Sequence, residues 1–174
     1  MRFQFAALIA APEVLAAVGG VRAVTPIRLD DALALVPVSR LLIAGRYGVP
    51  SSPVEPGFRH LERGFLPRVL AASALGVVAY VEADFVDTIG AQSAQAWHGG
   101  EVVFGPEHVS HTGPAGVSVP PISSWPINKV LRFLGVRTTR GLDEFDTLRL
   151  GRHTRIENWL DVDAKPRREF RASA

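Results

Sequence analysis

The chain contains no cysteine, so disulfides, thiolate metal sites and cysteine nucleophiles are all excluded. At 174 residues it is long enough to bury a core without such staples, and it fits a single domain. Lysine is nearly as scarce, with 2 residues against 17 arginines; that bias points to a GC-rich genome and carries no mechanism. Long apolar runs are also missing. Phe3 to Ala11 follows Met1-Arg2 in the manner of a signal peptide, but Pro12 and Glu13 interrupt it after 9 residues. No stretch reaches the roughly 18 apolar residues of a membrane span. The expectation is a cytoplasmic protein that does not engage a membrane.

Catalytic and cofactor motifs are absent in the same way. No GxGxxG or GxxxxGK[ST] follows a strand pattern, and the serines are scattered without GxSxG. His108-Val-Ser-His111 spaces two imidazoles at i, i+3, but the glutamate, Glu107, precedes the first histidine, so this is not HExxH. No metal is expected there, and no cofactor elsewhere. The arginines are dispersed rather than interleaved with aromatics, and the tail cluster Lys165, Arg167, Arg168 and Arg171 is short; nucleic acid is not an expected partner.

What the chain does have is an uneven charge. Residues 1–76 carry 8 basic and 5 acidic side chains, and residues 128–174 carry 11 and 7. Between them, residues 77–127 contain no Lys or Arg, only the acids Glu82, Asp84, Asp87, Glu101 and Glu107.

The hydrophobic pattern predicts an α+β fold: one domain over residues 1–164, with an antiparallel sheet, a few short helices packed on it, and a flexible basic tail over 165–174. Phe3 to Ala10 reads as a buried strand, and Pro12 to Val18 as a helix closed by Gly19-Gly20. Val21 to Leu29 and Leu33 to Val38 read as strands joined at Asp30-Asp31; residues 48–57 read as loop. Phe65, Leu66, Val69, Leu70 and Ser73 share a helical face that Gly76 ends. Val77 to Phe85 is a strand whose odd positions belong in the core, leaving Tyr80, Glu82 and Asp84 on a solvent side. Gly99-Gly100 predicts a two-residue hairpin pairing His98 with Glu101, Trp97 with Val102, and Gln95 with Phe104. Residues 105–125 read as a long irregular loop. Helices follow over Pro126 to Leu134 and Leu142 to Leu150, and Thr154 with Glu157 forms a capping-box pair.

Tyr80-Val-Glu-Ala-Asp-Phe85, Gly90-Ala-Gln92, Trp97 and Val102-Val-Phe-Gly-Pro106 resemble a pattern in small actinobacterial proteins. So do Ile127-Asn-Lys-Val-Leu131, Leu134-Gly-Val136, Asp143-Glu-Phe-Asp146, Gly151-Arg-His153 and Trp159-Leu160. The resemblance covers residues 77–160, and proteins of this type include immunity factors for secreted toxins, among them NAD-hydrolysing ones. It implies an antiparallel sheet and a function of occluding a cognate toxin's active site, and transfers no functional residue. On the residues themselves, the expected contact surface is the acidic strand face with the loop after the hairpin: Glu82, Asp84, Asp87, Glu107, His108, His111 and Trp125. The alternatives are a small enzyme assembled from Glu82, Asp84 and His153, or a non-catalytic interaction module.

Overall fold

Phe5 to Ala10 is an unbroken apolar run, which suits a strand covered on both sides. The computed structural model describes residues 2–18, 25–38, 53–54, 56–87, 89–111, 124–139 and 141–159. Its strands are β1 (Arg2–Ala10), β2 (Ile27–Arg28), β3 (Ala34–Pro37), β4 (Val78–Val86), β5 (Ile89–His98) and β6 (Glu101–His111). They form one six-stranded sheet in the order β2-β3-β1-β4-β5-β6. Every pairing is antiparallel, so the fold is the expected α+β class.

Helices cover both faces of this sheet. Ala6, Leu8 and Ala10 of β1, Val78 and Tyr80 of β4 and Trp97 of β5 pack beneath α1 (Pro12–Ala17) and α2 (Leu66–Ser73), which contribute Val14, Leu15, Val69 and Ala72. On the other face Phe5, Ala7, Ile9, Ala79, Val81, Ala94 and Ala96 meet Ile127, Val130 and Leu131 of α3 (Pro126–Phe133). The short helix α4 (Glu144–Thr147) and two 3-10 turns, Leu150–Arg152 and Ile156–Trp159, complete that layer.

Two-sided cover corrects the reading of β4. Its even positions were expected to face solvent, yet Tyr80 is fully buried and Glu82 is only 6% exposed. The alternation of apolar and polar residues was genuine; the polar side meets protein rather than water. The hairpin has the expected tip, with His98 opposite Glu101, Trp97 opposite Val102, and positive φ at Gly99 and Gly100. Beyond it the register slips, and Phe104 lies opposite Ala96, not Gln95. Gly105 sits in this bulge at φ +75°, where a Cβ would stand 2.6 Å from the Ala94 carbonyl oxygen, so the close approach requires glycine. The tip is fastened to α2: Gly99 N donates to the Ser73 carbonyl (2.8 Å) and Gly100 N to Ser73 Oγ (3.0 Å).

Other boundaries moved. Residues 105–111 continue β6, so the irregular loop predicted there does not begin at Gly105. The helix expected over Leu142 to Leu150 is α4 alone, started by Asp143, whose carboxylate accepts from Asp146 N, and followed by Arg149 in the left-handed region at φ 54°. Asp30 turns the chain between β2 and β3 by accepting from the backbone N–H groups of Ala32 and Leu33. Gly19-Gly20, residues 21–24, most of the loop at 48–57, residues 112–123 and the basic tail lie outside the described residues. Among the described residues no helix is long and apolar enough to cross a membrane.

Candidate functional site

Glu82 and Asp84 lie two apart on β4 and so project to the same face, beneath the segment 56–60. The Glu82 carboxylate accepts from Arg59 N (2.7 Å), His60 N (3.1 Å) and Tyr80 Oη (2.6 Å). Backbone donors on one side and a phenol on the other satisfy a carboxylate of this burial and fix it in place. Tyr80 answers in kind: burial first, and then the Glu82 charge, push its phenol well above the ordinary value of 10.0. Asp84 is nearer the sheet end and pairs with Arg59 Nη1 at 2.9 Å and Arg2 Nη2 at 3.5 Å.

The same segment is pinned from β5 and β6. The Ser93 hydroxyl donates to the Gly57 carbonyl (2.8 Å), and His108 Nδ1 lies 2.9 Å from Ser93 Oγ. A hydroxyl has one proton, and a carbonyl can only accept it, so His108 must carry a proton on Nδ1 and donate. The pair therefore runs in the opposite sense to a serine nucleophile with a histidine base, and Ser93 is buried as well. Phe58 is wedged between the rings of Tyr80 (5.4 Å) and His108 (4.9 Å). Glu82, Asp84 and His108 are thus brought together, as a clamp on residues 57–60.

The remaining expected residues disperse. Glu107 projects to the opposite face from His108 and pairs with Lys129 of α3 at 2.7 Å. His111 is opposite Gly90 at the end of β6, and strand alternation places it on the other face from His108, so the two imidazoles cannot share an ion. Among the described residues no group of three or more His, Asp or Glu could hold a metal. Trp125 was expected to anchor an interface; it is buried and stacked on Phe85 at 5.4 Å. His153 packs edge-on against Trp159 (4.9 Å), on the far side of the sheet from Glu82 and Asp84, so those three do not assemble one enzyme site. Burial, and then the Arg152 charge, lower its pKa.

The acidic segment is also less acidic in space than along the chain. Arg2, Arg59 and Lys129, all from outside residues 77–127, come to Asp84 and Glu107. Glu82 is enclosed. An acidic strand face open to a partner, as the charge pattern suggested, does not form at Glu82 and Asp84.

Chemistry is left open elsewhere. A pocket of about 410 Å³ lies at the end of the sheet on the α3 side, lined by Phe3, Phe85, Asp87, Gln92, Phe145, Gly151 and Thr154. Phe3 and Phe85 are register partners across β1 and β4, and Phe145 meets Phe3 edge-on at 6.0 Å. Asp87 reaches the pocket from the turn joining β4 and β5, with φ 54°. Of the residues singled out by sequence, only Asp87 lines this space, while Trp125 backs one of its walls through Phe85. The aromatic residues were missed because an apolar residue at a strand end reads as core, and nothing in the spacing links Phe145 to Phe3.

Comparison of the chain with protein-family models, curated protein sequences and solved structures gives no match.

Proposed function

We propose that the chain is a cytoplasmic immunity-type protein that binds a cognate toxin through the outer edge of β6. The observation that carries this reading is the edge itself. β6 runs for 11 residues at the end of the sheet, and among the described residues no strand pairs with its outer side. Such an edge presents a row of backbone donors and acceptors to an extended segment of another chain. Soluble proteins blunt long edges with charged residues, proline or bulges; β6 has Pro106 beside its bulge at Gly105 but no lysine or arginine, and Val102 and Val103 on it stand 48% and 41% exposed. Glu107, His108 and His111 of the expected surface lie along this strand, and Glu101 adds a carboxylate at its start. The fitting occupant is an extended segment of the toxin with a basic residue for Glu101, which is exposed at the start of β6, whereas Glu107 already meets Lys129. Clamping of the hairpin tip by Ser73 and of its base by the Ser93–His108 pair supports the reading, because a rigid edge loses little freedom on binding.

The test is co-purification with a toxin encoded by a neighbouring gene, followed by hydrogen exchange of the complex. The β6 amides should exchange more slowly in the complex. Replacing Val102 and Val103 together with Lys should speed dissociation at least about tenfold while leaving the melting temperature unchanged. Unaltered exchange along β6, together with an unimpaired double variant, overturns the reading.

A further inference from the structure

Past α4 the chain turns sharply, and the turn gathers hydrogen-bond donors of one kind. Arg149, at φ 54°, leads into the 3-10 turn Leu150–Arg152, and its carbonyl accepts from Arg152 N at 3.2 Å. The two guanidiniums feel one another: partial burial, and then the Arg149 charge, lower the Arg152 pKa. Arg152 acts on the next residue in the same way, since burial, and then the Arg152 charge, lower the His153 pKa. His153 is therefore neutral at pH 7 and has one ring N–H to donate. These groups rest on a firm base. The Arg152 guanidinium lies over the Trp159 ring at 4.2 Å, and His153 meets the same ring edge-on at 4.9 Å. Trp159 is buried against Phe5 at 5.7 Å, and Gln4 N donates to the Thr154 carbonyl (2.9 Å), tying the turn to β1.

Such a gathering is ordinarily answered by carboxylates, and two of the nearest in sequence are engaged elsewhere. Asp143 accepts from Asn128 Nδ2 (3.1 Å) and Asp146 N (2.8 Å), and Glu144 pairs with Arg132 at 2.8 Å. Among the described residues no carboxylate pairs with Arg149 or Arg152, and the buried Trp159 Nε1–H has no acceptor either. Donors are plentiful here and acceptors scarce. We infer from this a second binding site, for the phosphate group of a small phosphate monoester, held by Arg149, Arg152 and His153. A guanidinium offers a fork of N–H groups that matches two phosphate oxygens, and stacking on an aromatic ring orients the fork beforehand. A phosphate monoester carries close to two negative charges at pH 7, enough to offset both guanidiniums, and its oxygens accept from the His153 N–H as well. A carboxylate or sulfonate brings a single charge and fits less well.

The site is tested by titrating the full chain with phenyl phosphate at fixed ionic strength, followed by NMR of backbone amides, arginine Nε–H groups and histidine rings. Saturable shifts are expected at Gly151, Arg152 and His153. Benzenesulfonate, of similar shape but singly charged, should bind at least about tenfold more weakly. Arg149→Gln and Arg152→Gln should each weaken phenyl phosphate about tenfold, with the melting temperature little changed because both side chains are exposed. Arg152→Lys keeps the charge but loses the fork, so it should recover only part of the affinity. Arg28→Gln removes the same charge from β2 and should leave the affinity within about twofold, since screening confines the effect of a distant exposed charge. Equal affinity for the two anions, shifts centred elsewhere, an equal loss in Arg28→Gln, or no saturation at millimolar phenyl phosphate each overturns the proposal. Tighter binding of a single-stranded oligonucleotide without a terminal phosphate overturns it too, in favour of a nucleic-acid surface. None of these outcomes bears on the toxin reading, because the Ile156–Trp159 turn packs on β1 and β3, with β4 and β5 between β1 and the β6 edge.

Discussion

On the face beneath α1 and α2, Tyr80, Glu82, Ser93 and His108 use their polar groups on one another and on residues 57–60. On the face beneath α3 and α4, Phe3, Phe85 and Phe145 pack less completely and leave about 410 Å³ open at the sheet end. The residues with the most chemistry to offer are those whose chemistry is already satisfied, while side chains of little chemistry shape this opening. Functional groups in a sequence are evidence of function only once their partners are known. A buried carboxylate with three donors is a structural part, and its presence in an acidic segment says nothing of a basic partner.

The sharpest way to break this contrast is to remove the carboxylate. Glu82→Ala leaves Arg59 N, His60 N and the Tyr80 hydroxyl to find new acceptors in a buried setting. Each such group costs about 1–3 kcal/mol, so a loss of about 3 kcal/mol or more is expected. In a domain of this size that is a fall of roughly 10 °C in Tm. Asp84→Ala should stay within about 1 kcal/mol, because both arginines it meets are well exposed and surface pairs contribute little. Denaturant titration of the two variants measures the difference. Equal losses make Asp84 as strong a part of the clamp as Glu82 and remove the contrast.

Tyr80→Phe is the next smaller step. It removes one of three donors to Glu82 and should cost about 1 kcal/mol near neutral pH. Its signature lies in alkali. The folded phenol is held above its ordinary 10.0, so between that value and the raised one the unfolded chain has released a proton that the folded chain retains. Stability from this group is therefore complete below pH 10 and is lost as pH rises through the folded pKa. The parent should lose stability above pH 10 more steeply than Tyr80→Phe, which has no proton there to lose. Parallel alkaline limbs in urea unfolding contradict the assignment.

The sheet was legible in the sequence to the extent that local pattern decides it. The apolar run of β1, the alternation of β4, the Gly99-Gly100 tip and the i, i+3, i+4 spacing of α3 each specify an element from its own residues. What failed depended on partners distant in sequence. Alternation in β4 cannot reveal that residues 57–60 cover its polar side, and the bulge at Gly105 depends on contact with Ala94. The candidate site was legible only in part for the same reason. Asp87 was singled out for its charge, but the pocket it joins is made by residues 3, 85 and 145, which come together through strand register and the placement of α4.

The smallest expected effect on stability sharpens the comparison most. Asp87 has φ 54°, a left-handed conformation that Asp and Asn tolerate because their short polar side chains serve the local turn. It sits between Val86 and Ile89, which pair across the β4–β5 turn, and it is exposed. Asp87→Asn keeps the size, an oxygen acceptor and the turn preference, and changes only the charge. The melting temperature should therefore move by no more than the equivalent of about 0.5 kcal/mol. Asp87→Val, which puts a β-branched side chain at positive φ, should by contrast cost about 1–2 kcal/mol, showing that the measurement resolves backbone strain at this turn. If Asp87→Asn instead destabilises as much as Tyr80→Phe, the carboxylate at the pocket is a structural group like Glu82, and the two faces differ only in which residues do the holding.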